Sequence, residues 1–168
     1  MTHHDPSGPQ PADQPARPPA RPPGHPSRTE RSTAASPDAV WRILADGWLY
    51  PLFVVGASRM REVDAAWPEV GARLHHSVGA WPVLVDDTTE VLEVRPRESL
   101  RLRARAWPGG EAEVTIRLVP EGAGTRLVIE EDAVRGPGLL VPRPVRHLQL
   151  RWRNVETLRR LALLAERR

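Results

Sequence analysis

The sequence predicts an α+β domain in which a curved antiparallel sheet of seven strands wraps around one long C-terminal helix. Two observations lead to this prediction. Hydrophobicity alternates with a period of two, between turn residues, over most of residues 58–133, and no helix-breaking residue occurs after Pro144. A chain of 168 residues can form one domain with a single hydrophobic core. We therefore assign residues 28–168 to one domain.

Residues 1–27 differ from the rest of the chain in composition. They hold nine of the 19 prolines, repeat the sequence Ala-Arg-Pro-Pro at 16–19 and 20–23, and contain almost no large apolar side chain. Such a segment buries too little apolar surface to offset the entropy of ordering. We expect it to be a disordered, proline-rich tail.

The composition also excludes several classes of protein. The chain contains no cysteine, so it has no disulfide, no thiolate nucleophile and no Cys-based zinc site. All 24 basic residues are arginine, a usage typical of GC-rich coding sequences, and 21 acidic residues leave a net charge of only +3. This charge favours no nucleic-acid partner. The apolar runs are too short to span a membrane and no leader is recognisable, so we expect a cytoplasmic protein.

The domain begins with a predicted strand over Arg28–Ala34, followed by two short helices. Ser36-Pro37-Asp38 places a hydroxyl at the N-cap, a proline in the first turn and a carboxylate beside the helix dipole. The first helix buries Val40, Ile43 and Leu44 on one face. The apolar segment Trp48–Val55 predicts a second short helix, broken by Pro51.

Six further strands follow from the alternating pattern: Arg59–Val63, Arg73–Val78, Asp86–Val94, Leu100–Ala106, Glu111–Val119 and Thr125–Ala133. The clearest pattern places Leu100, Leu102, Ala104 and Ala106 on one face and three arginines on the other. The next strand alternates Val114, Ile116 and Leu118 with polar residues, so its acids can pair with those arginines across the outer surface. In the last strand Leu127, Ile129 and Glu131 share a face.

The C-terminal segment predicts the long helix. An apolar stripe at three- and four-residue steps comprises Leu148, Trp152, Val155, Leu158, Ala162 and Ala165. We expect this stripe to face the sheet. Arginines at seven-residue steps, Arg146, Arg153, Arg160 and Arg167, then form a solvated opposite face.

Three segments resemble one superfamily, that of START domains, the major birch pollen allergen and polyketide cyclases. They are Ala35-Ser-Pro-Asp-Ala-Val-Trp41, Thr89-Glu-Val-Leu-Glu-Val-Arg-Pro-Arg-Glu-Ser-Leu-Arg-Leu-Arg103 and Gly124-Thr-Arg-Leu-Val-Ile-Glu130. Leu74-His-His-Ser-Val-Gly79 and the segment 81–89 look most similar to actinobacterial polyketide cyclase/dehydrase-like proteins of unassigned role. The resemblance implies a helix-grip fold with an apolar ligand cavity between the sheet and the long helix. It implies no single reaction.

Alternation along the strand at 73–78 places His76 inward and His75 outward. His76 is therefore the leading polar candidate for the cavity, either as a ligand contact or as a general base. Asp86, Asp87, Glu90 and Glu131 supply carboxylates that could pair with it, with Asp86 and Glu131 the catalytic candidates beside His76. The carboxylates lie on separate strands without a metal-ligand spacing, so we expect no metal, and no motif indicates a cofactor.

The aromatic residues complete the expected ligand site. Trp48, Trp81 and Trp152 lie in segments that converge near the cavity in this fold and could stack on a planar ligand. The full set of expected ligand contacts is Trp48, His76, Trp81, Leu102, Ala104, Val114, Ile116, Leu127, Ile129, Leu148 and Trp152.

Three functions remain open from the sequence. The first is binding or transport of a hydrophobic, lipid-like or aromatic metabolite. The second is a polyketide cyclase or aromatase reaction that uses His76 with a nearby carboxylate. The third is a protein-interaction or co-chaperone role for the Arg-rich surface and the proline-rich tail.

Overall fold

A computed structural model describes residues 27–80, 83–106, 110–135 and 143–167 of the chain. The proline-rich tail, except Ser27, lies outside the described residues. The strands are β1 (Ser27–Thr33), β2 (Ala57–Val63), β3 (Arg73–Ala80), β4 (Val83–Arg95), β5 (Ser99–Ala106), β6 (Gly110–Glu121) and β7 (Gly124–Arg135). The helices are α1 (Pro37–Leu44), α2 (Tyr50–Phe53) and α3 (Arg143–Glu166), with a short 3-10 turn at Gly47–Leu49.

The seven strands form one antiparallel sheet in the order β1-β7-β6-β5-β4-β3-β2. Strands β2 to β7 follow one another as a meander, and β1 pairs with β7 at the other edge. The helices α1 and α2 connect β1, at one edge of the sheet, to β2 at the other edge. Helix α3 packs against α1, α2, β1 and β7. This arrangement confirms the predicted helix-grip fold of class α+β.

Local chemistry explains where the helices begin. The Ser36 side chain accepts a hydrogen bond from the Ala39 backbone N–H, as an N-cap residue does. Pro51 does not break the second helix, contrary to the expectation. It lies in the first turn of α2, where its missing N–H would have had no partner within the helix.

The outer surface of the sheet carries the predicted pairs of arginine and glutamate. Arg103 lies opposite Glu113 and Arg105 opposite Glu111 in the β5–β6 ladder. The Nε of Arg105 is 3.2 Å from Oε1 of Glu111, and Arg101 also contacts Glu113. The alternating arginines of β5 therefore lie on the solvated face of the sheet and pair there with glutamates of β6, as predicted.

The buried face of α3 differs from the prediction. Leu158, Ala162 and Ala165 are buried as expected, but Leu148 and Trp152 are 72% and 69% exposed, and Val155 is exposed too. The helix instead turns Asn154, Thr157 and Leu161 toward the core. The apolar stripe is thus split between two faces, because α3 carries leucines on both sides.

None of the described helices is both long and apolar enough to cross a membrane.

Candidate functional site

The inner face of the sheet carries polar side chains where β3 and β4 pair. His76 lies opposite Asp87, and Leu74 opposite Thr89. Directly opposed residues of an antiparallel pair share a face, and Leu74 is fully buried, so all four side chains point inward. His76 is only 3% exposed. His75 points the other way, with its Nε2 3.4 Å from Oδ1 of Asp64.

A chain of hydrogen bonds joins His76 to α2. The Nε2 of His76 is 2.9 Å from Oγ1 of Thr89, and that oxygen is 3.4 Å from the Tyr50 hydroxyl. The rings of Tyr50 and His76 lie side by side, with centroids 5.4 Å apart. The Nδ1 of His76 has no hydrogen-bond partner among the described residues. His76 is therefore held through one nitrogen, and the other is buried without a described partner.

Burial keeps His76 uncharged. Removal from water, followed by the positive charges of Arg61 and His75, lowers the pKa of His76 to about 4. At neutral pH the imidazole is therefore neutral, so each ring nitrogen either donates or accepts one hydrogen bond.

This lowered pKa predicts a pH-dependent stability. The unfolded chain binds a proton near pH 6.5, whereas the folded chain does not until about pH 4, so the unfolded state holds more protons in between. The free energy of unfolding is highest above pH 6.5, the pKa of His76 in the unfolded chain. It decreases as the pH falls toward about 4, the pKa of His76 in the folded chain. We expect a loss of about 2 kcal/mol between about pH 7 and pH 5. Urea unfolding of the wild-type chain and of His76→Gln measures it.

The variant His75→Gln is the matched control for this pH effect, because its imidazole lies on the outer face of the same strand. His76→Gln should remove most of the loss between pH 7 and pH 5, and His75→Gln should retain it. Equal pH profiles for all three proteins would show that His76 titrates as it does in the unfolded chain.

A buried ion pair joins the sheet to the long helix. Glu131 on β7 is 2% exposed, and its Oε1 accepts a short hydrogen bond from the guanidinium of Arg153 on α3. The second oxygen of Glu131 has no partner in the described part of the chain. Arg153 was expected on a solvated helix face, and this expectation is wrong. The helix rotation that exposes Trp152 also brings Arg153 over the inner face of the sheet.

The carboxylates of β4 separate onto the two faces of the sheet. Asp86 points outward, where it accepts a hydrogen bond from Ser77 at 2.9 Å and lies 3.4 Å from the Nε of Arg61. Glu90 also points outward, toward Arg73. Asp87 alone of the three is buried, at 6% exposure. Asp86, a catalytic candidate from the sequence, therefore lies on the outer face, whereas Asp87 lies on the inner face with His76.

No carboxylate is hydrogen-bonded to His76 among the described residues. Within the described residues its side chain bonds to Thr89, while Glu131 bonds to Arg153. Asp87 accepts a hydrogen bond from the Thr88 backbone N–H through Oδ1 and leaves Oδ2 without a described partner. Burial raises the pKa of Asp87, against smaller opposing effects of that hydrogen bond and of Arg105.

Charges on the inner face act on Tyr50, the buried tyrosine of α2. Burial is the main cause that raises the pKa of Tyr50, while the hydrogen bond with Thr89 and the charge of Arg153 lower it. The charges of Glu131 and Asp87 raise it further. The hydroxyl thus lies within electrostatic range of all three charged groups. We call this set the inner polar cluster: Tyr50, His76, Asp87, Thr89, Glu131 and Arg153.

The expected apolar ligand contacts divide into three groups. Leu102, Ile116, Leu127 and Ile129 are buried in the core, and Ala104 and Val114 are partly buried on the same inner face. The helix residues Leu148 and Trp152 are exposed. Trp48 is also exposed. Trp81 lies outside the described residues.

A surface depression of about 430 Å³ lies beside β4 and is lined by residues from both faces of this strand. Its lining comprises Arg61, Val85, Asp86, Asp87, Thr88 and Arg105. Asp87 belongs both to this depression and to the inner polar cluster. Among the described residues, no three His, Asp or Glu side chains converge as a metal site requires.

The sequence profile of one family, described as polyketide cyclase / dehydrase and lipid transport, matches residues 26–166. The chain belongs to this family. Membership supports a ligand-binding or a cyclase role and indicates a hydrophobic small molecule as the partner. Comparison with curated protein sequences finds no match.

Solved structures share the fold at low sequence identity. Protein NE0264 from Nitrosomonas europaea is 20% identical, with a TM-score of 0.64 over 83% of this chain and 93% of that one. Ara h 8.0201 is 10% identical, with a TM-score of 0.66 over 84% and 97%. The di-domain ARO/CYC StfQ from the steffimycin biosynthetic pathway is 12% identical, with a TM-score of 0.67 over 83% of this chain and 50% of StfQ. These likenesses establish the fold alone.

Proposed function

We propose that the chain binds a hydrophobic small molecule between the inner face of the sheet and α3, and that the inner polar cluster orients it. The supporting observation is a set of buried polar atoms without partners among the described residues: Nδ1 of His76, Oδ2 of Asp87 and Oε2 of Glu131. Buried polar atoms in proteins are nearly always hydrogen-bonded. A ligand that supplies these bonds gains both affinity and orientation.

The apolar part of the ligand would contact the inner face of β5 and β6. Ala104 and Val114 are partly buried there, and they continue the row of buried Leu102 and Ile116. Removing apolar surface from water drives binding, and the few polar groups select the orientation. The family's link to lipid transport and polyketide chemistry supports this division of roles.

Native mass spectrometry of the purified chain, followed by extraction of any co-purifying molecule, tests the proposal directly. A bound lipid or aromatic compound would support it. A chain that purifies empty and binds no member of a panel of hydrophobic fluorescent probes would contradict it.

The role of His76 predicts a specific loss of affinity. Replacing His76 by glutamine should weaken binding of the extracted molecule by about tenfold, because a good buried hydrogen bond contributes about 1.4 kcal/mol. His75→Gln, on the outer face, should change the Kd by less than about twofold. Fluorescence or calorimetric titration measures both. A similar Kd for the two variants would show that His76 does not touch the ligand.

A cyclase reaction is the second candidate, and the neutral imidazole of His76 beside Tyr50 favours it. A neutral imidazole accepts a proton, and Nδ1 can do so in the tautomer whose Nε2–H donates to Thr89. A general base works best when its pKa lies near the working pH, however, and the pKa of His76 is about 4. This mismatch favours binding over catalysis. Loss of turnover in His76→Gln with the substrate affinity retained would reverse the order of the two candidates.

A further inference from the structure

The inner polar cluster is rich in hydrogen-bond acceptors. Asp87 and Glu131 each leave one carboxylate oxygen without a partner in the described part of the chain, and both side chains are more than nine-tenths buried. An ionised carboxylate oxygen accepts hydrogen bonds and donates none. A ligand group that satisfies these oxygens must therefore be a donor.

The charges of the inner face also favour a cation. The inner polar cluster contains two carboxylates, Asp87 and Glu131, and one arginine, Arg153, which is already bonded to Glu131. His76 adds no charge, because burial lowers its pKa. From the outer surface, Arg61 pairs with Asp86 and Arg105 with Glu111. Arg61 also donates to the Asp87 backbone oxygen and the charge of Arg105 lowers the pKa of Asp87, but neither is ion-paired with the Asp87 carboxylate in the described part of the chain.

Tyr50 adds an aromatic ring beside this surplus of negative charge. Its ring centroid lies 5.4 Å from that of His76, which is opposite Asp87 in the β3–β4 ladder. A ligand cation near Asp87 would therefore have an aromatic ring in the same region, and such a ring attracts cations through its π-face. A ligand carboxylate at the same place would be repelled by the charge of Asp87.

From these observations, and resting on the binding function proposed above, we propose that the preferred ligand carries a protonated amine on an apolar body. The amine donates to Oδ2 of Asp87. Carboxylic acids with the same apolar body are disfavoured. The site thus selects the headgroup by charge, while the apolar face of the sheet accepts the body of the ligand.

Three probes of one chain length test the proposal: dodecylamine, dodecan-1-ol and dodecanoic acid, each below its aggregation concentration. Each is titrated into the full chain at pH 7.5 against bound Nile red. We expect dodecylamine to bind at least about tenfold more tightly than dodecanoic acid, since a charge-assisted hydrogen bond in a buried site exceeds a neutral one. Dodecan-1-ol, which donates without a charge, should fall between them.

Two variants separate the headgroup preference from general binding. Asp87→Asn removes the inner charge and should reduce the preference for amine over acid to less than about threefold. Asp86→Asn, one residue away on the outer face, should leave the preference unchanged. Circular dichroism and the Kd for Nile red confirm that both variants keep the fold and the apolar contacts.

The possible failures are distinguishable. If dodecanoic acid binds as tightly as dodecylamine, or if Asp87→Asn leaves the preference intact, the amine inference is wrong and the binding function stands. If neither Nile red nor any of the three probes binds, the binding function itself is wrong and the inference falls with it.

Discussion

Replacing Leu161 by alanine should lower the free energy of unfolding by roughly 2–5 kcal/mol. Leu161 is fully buried on α3, in the core shared by the sheet and α1. Deleting its side chain removes apolar contacts and leaves a cavity, because the neighbouring elements cannot close in completely. Urea denaturation followed by circular dichroism measures the loss.

Leu148→Ala is the matched control for this prediction. The same substitution on the same helix removes a side chain that is 72% exposed, and alanine is a good helix former. The change in stability should stay within about 0.5 kcal/mol. If Leu148→Ala were the more damaging of the two, α3 would face the sheet with the stripe expected from the sequence, and the orientation described above would be wrong.

Replacing Arg153 by methionine should destabilise the fold by roughly 2–4 kcal/mol, because it leaves the buried carboxylate of Glu131 without its cation. The expected loss of stability is smaller than for a fully buried ion pair, because the Arg153 side chain is 38% exposed. Glu131→Gln should cost less, because the arginine it strands still reaches water. The order of the two single variants is thus the signature of this ion pair.

A double-mutant cycle completes the test of the ion pair. Glu131→Leu is the second single variant of the cycle, and Arg153→Met combined with Glu131→Leu removes both charges. The double variant should therefore recover most of the stability lost in Arg153→Met alone. Arg159→Met breaks the exposed pair with Glu156 on the same helix and should matter far less. Additive losses in the double variant would show that Glu131 and Arg153 do not interact in the folded chain.

Local patterns in the sequence predicted the strands and helices well. Alternation along β5 identified Leu100 and Leu102 as buried, and unbroken alternation along β7 placed Glu131 on the buried face with Leu127 and Ile129. The Ser36-Pro37 cap located the start of α1. These features depend on residues near one another in the chain, whose preferences survive folding.

The faces of β4 could not be predicted in the same way. Val91 pairs with Leu102, but the next pairs are Glu93 with Arg101 and Val94 with Leu100, so a bulge shifts the alternation. Buried residues therefore have odd numbers before the bulge, whereas Val94 after it packs against the core. In β4 both the odd- and the even-numbered positions carry polar and apolar residues, so the sequence contains no pattern that locates this bulge. The pairing with β3, which places Asp87 opposite His76, decides that Asp87 and not Asp86 joins the site.

Periodicity and capping act over a few residues, so the sequence was enough to predict the fold class, the strand and helix order and the inward direction of His76. The rotation of α3 and the composition of the inner polar cluster depend instead on contacts between elements that are distant in the chain. A helix with leucines on two faces fits the sheet in more than one rotation. The choice depends on packing against α1 and α2 and on the contact between Arg153 and Glu131, whose members lie on separate elements of the chain.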